Sequence, residues 1–337
     1  MTSSRIAGGT GIRPRRIAAA VLAAIAAVAG VGALSGFHQQ LREIDPQGPD
    51  VASEVASADI IGIRTFTAPE GIDVQADLEY GTREDGTLLT LDVCSPPADV
   101  LVPTRPAVLS IHGGSWARGD KANADWRNTC LWLASEGFVA ASVNYRLVPD
   151  VRFPAAIEDV ALAVEWLRSP EQVERFGIDP ARIGAFGGSA GGNLAALLGT
   201  TGEGPLDEGA RVAAVAELSG PVGLTVADLD ADGATPWLRG IVGDYLGCEP
   251  GATVVACPQS ADASPATHAD PSDPPVFIGH AEQEVVPVGQ STRFASALTA
   301  AGVPVELAIV PGGEHSIGIL DAALRGRVAA FLHAHLG

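Results

Sequence analysis

Gly187-Gly188-Ser189-Ala190-Gly191-Gly192 sets a serine hydroxyl among small residues. The apolar run Arg182–Phe186 precedes it and a helical stretch follows, so the string falls on a strand-to-helix turn. A G-x-S-x-G turn of this kind is tight, and only small neighbours let the backbone make it. It lifts the hydroxyl clear of the sheet, and the start of the helix adds partial positive charge where an oxyanion would form. The bland alternatives are a turn that merely permits close packing, or a dinucleotide loop. Phe186 interrupts the glycine spacing that the latter requires. Upstream, Ser110-Ile111-His112-Gly113-Gly114-Ser115-Trp116 follows another apolar run. Gly113 and Gly114 leave the backbone free to turn N–H groups inward. With the Ala190 N–H they would form an oxyanion hole for acyl transfer, in which losing one donor costs ~10²–10³ in rate. His112 is read as structural.

A serine of this kind needs a general base. The chain has seven histidines, of which His315 sits in the glycine-bearing loop Pro311-Gly312-Gly313-Glu314-His315-Ser316, after the last predicted strand. It is the candidate base. His38 precedes the folded part, and His333 and His335 lie in a terminal helix. His268 belongs to a loop, and His280 ends a strand and reads as structural.

The elements that must position these groups follow from periodicity. Val74–Tyr80 and Leu88–Cys94 alternate as strands across the turn Glu84-Asp85-Gly86. Strands are then predicted at Ala107–Ile111, Val139–Val143, Arg182–Phe186, Val212–Leu218, Pro275–Gly279 and Val305–Val310. Helical patterns cover Trp126–Glu136, Ala155–Leu167 (introduced by Pro154), Asn193–Leu198 and Leu320–His335. Strands alternating with helices imply an α/β fold, a largely parallel sheet covered on both faces. Residues 221–273, rich in Gly, Asp and Pro, read as an irregular insertion within one catalytic domain, 61–337.

In this order, His112-Gly113-Gly114, Gly119-Asp120-Lys121, Tyr145-Arg146-Leu147, Phe153-Pro154-Ala155-Ala156, Gly187 to Gly192 and Pro274-Pro275-Val276 resemble the α/β-hydrolase superfamily. Within it, they are similar to the hormone-sensitive-lipase-like and feruloyl-esterase-like carboxylesterases, across roughly residues 75–335. The resemblance implies an eight-stranded, mostly parallel sheet with serine, acid and histidine on loops in that order. Ser189 maps onto the nucleophile, and Gly113, Gly114 and Ala190 onto the oxyanion donors. Tyr145, Arg146 and Asp159 match positions that support the fold. The acid departs from the pattern, which is a strand, then His-Gly-x-x-Asp, then Val-Pro. Here the stretch is Val276-Phe277-Ile278-Gly279-His280-Ala281-Glu282-Gln283-Glu284-Val285-Val286-Pro287. Counting from His280 selects Glu284, counting back from Val286-Pro287 selects Gln283, and Glu282 is a third candidate. Glu284 is preferred, because a longer side chain compensates for a shortened loop.

The expected function is a serine carboxylesterase for small-molecule esters of short-chain acids, working without metal or organic cofactor. A serine peptidase on the same fold and a catalytically silent hydrolase-fold binding module are the alternatives. Ala190 stands after the serine where such peptidases carry Tyr.

Composition bounds the partners. Forty acidic residues face 21 basic ones, a net charge of −19, which argues against nucleic acid or an anionic membrane surface. Arg5, Arg13, Arg15 and Arg16 precede the uncharged apolar run 17–37, the layout of a signal peptide or of a signal-anchor transmembrane segment. Its length favours an anchor, whereas Val31-Gly32-Ala33 offers a cleavage site. Residues 38–60 read as a linker. Both readings place the catalytic part outside the cytoplasm. The four cysteines then suggest two disulfides, of three connectivities preferably Cys94–Cys130 with Cys248–Cys257. No cysteine spacing matches a zinc site.

Overall fold

Uninterrupted apolar runs make the interior of a parallel sheet, since such strands are buried on both faces. The computed structural model describes residues 61–97 and 104–337, all within one compact unit, Ser57–Gly337. The expected export segment 1–37 and linker 38–60 lie outside the described residues. The strands are β1 (Asp73–Thr82), β2 (Leu88–Ser95), β3 (Arg105–Ile111), β4 (Val139–Val143), β5 (Ile178–Gly188), β6 (Val215–Leu218), β7 (Val276–Ala281) and β8 (Val305–Val310). They form one eight-stranded sheet in the order β1-β2-β4-β3-β5-β6-β7-β8. β1 and β2 pair antiparallel with each other and β2 antiparallel with β4; every other pairing is parallel. Every residue of β4, β6 and β7 is buried, whereas β1 at the edge is mostly exposed.

The helices are α1 (Ala124–Ser135), α2 (Ala155–Arg168), α3 (Pro170–Phe176), α4 (Ala190–Thr200), α5 (Val226–Ala231), α6 (Pro236–Leu246), α7 (Gln259–Asp262), α8 (Val288–Ala301) and α9 (Ala322–Leu336). They cover the sheet from two sides and enclose two apolar cores. One core holds Val160 and Val164 of α2, Leu194 of α4 and Phe294 of α8 against Leu109, Ile183 and Ile278. The other holds Trp132 of α1 and Leu332 of α9 against Val108, Phe186 and Phe277. The expected α/β-hydrolase architecture is therefore the one observed.

Residues 221–273 are more regular than their composition suggests. α6 carries full boundary signals: Thr235 Oγ1 accepts from Leu238 N–H, Pro236 opens the first turn and Gly247 closes it with φ of 70°. Leu238, Val242, Tyr245 and Leu246 face inward, so a real helix stripe lay within a Gly- and Asp-rich stretch. α8 was not anticipated because its buried face carries Gln290 and Ser291 among the apolar residues, which breaks the hydrophobic period. α3 was missed as well, whereas α4 starts at Ala190, directly after the serine turn.

The disulfides are Cys94–Cys130, tying β2 to α1, and Cys248–Cys257, closing a short loop after α6, as preferred from the sequence. Among the described residues no helix is long and apolar enough to cross a membrane. Lys121, the one lysine of the chain, is buried and reaches Asp77 and Asp92, each at 2.7 Å. It thereby fastens the loop after β3 to β1 and β2. Arg146 reaches Asp159, which Arg83 also engages, so these residues support the fold as expected.

Candidate active site

Ser189 stands between β5 and α4 with φ 58° and ψ −123°, a conformation few non-glycine residues adopt. Its surroundings hold it there. The Ser189 N–H donates to Leu218 O at the end of β6 (2.8 Å), and its carbonyl accepts from Asn193 N–H (3.0 Å). A Cβ on Gly187 would run into the Gly191 carbonyl, and one on Gly191 into the Ile111 carbonyl. The glycines of the elbow are there for this close approach, as the motif implies.

The loop after β3 comes against the elbow. A Cβ at Gly113 would lie 2.7 Å from Gly188 O and 3.1 Å from Ser189 Cβ. Gly114, Ser115 and Trp116 follow with φ of 126°, 58° and 55°, positive φ in three successive residues. His112 is buried, stacks on Tyr145 at 4.4 Å between ring centroids, and its Nδ1 lies 2.9 Å from Gly113 O. Tyr145 Oη donates to His112 O at 2.8 Å. Burial lowers the His112 pKa, so the ring is neutral at pH 7, and Nδ1–H is the donor to Gly113 O. His112 shapes the loop, as expected.

His315 lies in the loop between β8 and α9 and lines the same cavity as Gly113, Gly114 and Ser189. The residue after it, Ser316, has φ 59° and donates its N–H to Ser219 Oγ (3.0 Å), just beyond β6. The end of β6 thus fixes both the serine and the histidine loop. Of the three candidate acids, the structure brings one to His315. Glu284 Oε2 is paired with His315 Nδ1, whereas Glu282 and Gln283 are exposed. The backbone of those two residues instead ties the loop to β8: Glu282 N–H donates to Val310 O, and Gln283 N–H to Gly312 O, both at 3.0 Å.

The Glu284 carboxylate is completely buried. Burial alone would raise its pKa, but His280 and His315 outweigh that, and the net shift is downward, so it is ionised at pH 7. His280 is fully buried too, with Nε2 2.7 Å from Glu284 Oε1. Burial works to lower its pKa, yet Glu284 and the Val286 carbonyl drive it above the ordinary histidine value. Glu217 of β6 is buried on the same face, paired in register with Ile278, two residues before His280. Its Oε2 accepts from Gly220 N–H at 2.7 Å, while burial pushes its pKa up to about 8.

The cavity also holds groups that motif reading did not select. Arg118, Asp125 and Trp126 come from the 117–130 loop and helix start, and the half-exposed Trp237 from α6. Arg64 reaches Asp125 at 2.8 Å, whereas Arg118 has no ionic partner among the described residues. The other histidines stand apart from the site. His268 Nε2 lies 2.9 Å from Asp262 O, His333 stacks on Phe138, and His335 packs tilted against Phe331. His38 lies outside the described residues. Among the described residues no cluster of His, Cys, Asp and Glu could hold a metal ion.

A strained serine after a central strand, glycine N–H groups beside it and a late His–Glu pair on an eight-stranded sheet define the α/β-hydrolase class. The chain matches the BD-FAE family over residues 91–298 and belongs to it. Ethyl acetate hydrolase of Pseudomonas putida is 31% identical over 275 residues, which cover 76% of this chain and 80% of that protein. Neutral cholesterol ester hydrolase 1 of Mus musculus is 44% identical over 98 residues, 29% of this chain. That match spans only 24% of the mouse protein. Among solved structures, a thermophilic esterase from the Planctomycetes species Thermogutta terrifontis superposes with a TM-score of 0.61 at 26% identity. It covers 80% of this chain and 95% of that one. A truncated carbohydrate esterase from gut microbiota, 23% identical with a TM-score of 0.66 over 80% of this chain and 99% of that one, shares the fold.

Proposed function

We propose that this protein is a serine carboxylesterase that hydrolyses small esters of short-chain acids through an acyl-enzyme on Ser189. His315 takes the Ser189 proton as the hydroxyl attacks the ester carbonyl. The N–H groups of Gly113, Gly114 and Ala190 hold the tetrahedral oxyanion. Glu284 keeps His315 in the tautomer that leaves Nε2 free and stabilises the imidazolium once formed. His315 then protonates the leaving alcohol, and water repeats the sequence to release the acid.

The observation that carries this reading is the pairing of Glu284 with His315 at the cavity that Ser189 and the paired glycines also line. The name of the ethyl acetate hydrolase relative supports a small acyl group. Export belongs to the same proposal. Two disulfides suit an oxidising compartment, and the arginine-flanked apolar run 17–37 has the layout of a signal or anchor.

Ser189→Ala is expected to abolish hydrolysis of p-nitrophenyl acetate and butyrate and labelling by a fluorophosphonate, with the fold retained. Hydrolysis surviving in the pure variant would overturn the mechanism. Preferential cleavage of dipeptide amides would favour a peptidase. A wild-type protein that neither labels nor turns over would be a binding module.

A further inference from the structure

Glu284 is shared between two imidazoles, and only one of them belongs to the proposed triad. Oε2 serves His315, while Oε1 lies 2.7 Å from His280 Nε2. His280 is itself held at several points. Its Nδ1 is 2.6 Å from Ser291 Oγ on α8, and its Nε2 is 2.9 Å from the Val286 carbonyl. The Val286 carbonyl takes the better-aligned share of the Nε2 hydrogen, so the pull on Oε1 is mainly electrostatic. One ring at the end of β7 therefore sets both the path of the 282–286 loop and the carboxylate it carries.

The need for such a ring follows from the acid itself. A glutamate has one more side-chain torsion than an aspartate, and each additional torsion that must be frozen costs entropy. Here the torsions are fixed in a pocket without solvent, where an unpaired carboxylate oxygen is expensive. The remaining titratable group nearby, Glu217 on β6, is itself a carboxyl and offers Glu284 no countercharge. His280 is the cationic or donor group left to do so.

We propose that His280 is a positioning residue for the triad, holding Glu284 Oε1 and the Val286 carbonyl so that Oε2 is presented to His315 Nδ1. This rests on the ester-hydrolase reading for its catalytic consequence, though not for its structural one. A displacement of about 1 Å in such an array costs on the order of 10²-fold in turnover.

The test compares His280→Gln and His280→Phe in the full chain. It measures kcat and KM for p-nitrophenyl butyrate, and the low-field proton resonance of the His315–Glu284 hydrogen bond. His280→Phe should lower kcat by ~10–100-fold with KM little changed, and lose the low-field resonance. His280→Gln, whose amide NH2 can donate to the Val286 carbonyl as Nε2–H does but carries no positive charge, should recover part of both. Wild-type kcat and resonance in His280→Phe would overturn the proposal, because a ring of that shape without polar edges would then suffice, as would equal impairment of the two variants, because a donor at the place of Nε2 would then have no effect. If Phe is not accommodated, Ser291→Ala frees the opposite edge of the ring. It should weaken the resonance and kcat together, and no change in either would overturn the proposal. The resonance is read without turnover, so a protein inactive on every ester would refute the functional reading while leaving this inference to be judged separately.

Discussion

Glu284→Gln isolates the acid from every other part of the site. The side chain keeps its shape but becomes half donor and half acceptor, in a pocket where two imidazole nitrogens compete for it. With the amide oxygen toward His315 Nδ1, the amide NH2 faces His280 Nε2–H, donor against donor. Turned around, the NH2 faces His315 Nδ1 and forces the proton onto Nε2, where the ring cannot act as base. Neither orientation preserves the relay, and in both the negative charge beside the nascent imidazolium is gone. The corresponding Asp-to-Asn change in serine proteases lowers kcat by ~10⁴. We expect a loss of ~10³–10⁴ in kcat here, equivalent to about 4–5.5 kcal/mol of transition-state stabilisation at 1.36 kcal/mol per tenfold. KM should hardly move, because the carboxylate is completely buried and does not meet substrate. The assay is steady-state hydrolysis of p-nitrophenyl butyrate beside Glu282→Gln and Gln283→Ala, both on exposed side chains that should behave as wild type. Glu284→Gln with more than about a tenth of wild-type kcat, or a comparable loss in Glu282→Gln, would refute the assignment.

Two further outcomes are expected. Gly113→Ala places a Cβ 2.7 Å from Gly188 O, so the loop must retreat from the elbow; kcat should fall by ~10²–10³ with the protein still folded, and an unimpaired variant would remove this loop from the oxyanion site. Glu217 binds its proton more tightly in the folded state, with a pKa of about 8 against an ordinary 4.5. Its contribution is therefore whole below about pH 4.5 and is lost as pH rises towards 8, by at most about 1.4 kcal/mol per pH unit. In urea unfolding, Glu217→Gln should gain on the wild type between pH 5 and 8.5; parallel pH curves would show that the carboxyl does not titrate this way.

Much of the scaffold was legible because its signals are local. The bounds of β4 and β8 match the sequence reading, and those of most other elements fall within a few residues of it. Where the reading failed, buried polar groups were the reason. Gln290 and Ser291 stand on the core face of α8 because they bond Val222 N–H, Gly223 N–H and His280, partners far away in the chain. No periodicity of apolar residues can reveal a face whose polar members are satisfied from elsewhere. α6 failed in the opposite way, since composition concealed an intact set of capping residues.

The site divides along the same line. Gly187 to Gly192 specify a strained turn from within, because the crowding that forbids side chains there is short-range, and His112-Gly113-Gly114 likewise describe their own loop. The sequence by itself therefore singled out Ser189 as the candidate nucleophile and Gly113, Gly114 and Ala190 as the candidate donors beside it. It left three neighbouring residues, Glu282, Gln283 and Glu284, as candidates for one role, because counting from either end of a shortened loop gives a different answer. Only the tertiary structure shows which of them meets His315. Which side chain turns inward depends on where β7 ends, how the loop backbone is tied to β8, and where His280 and His315 stand, and these distances are set by packing across the sheet.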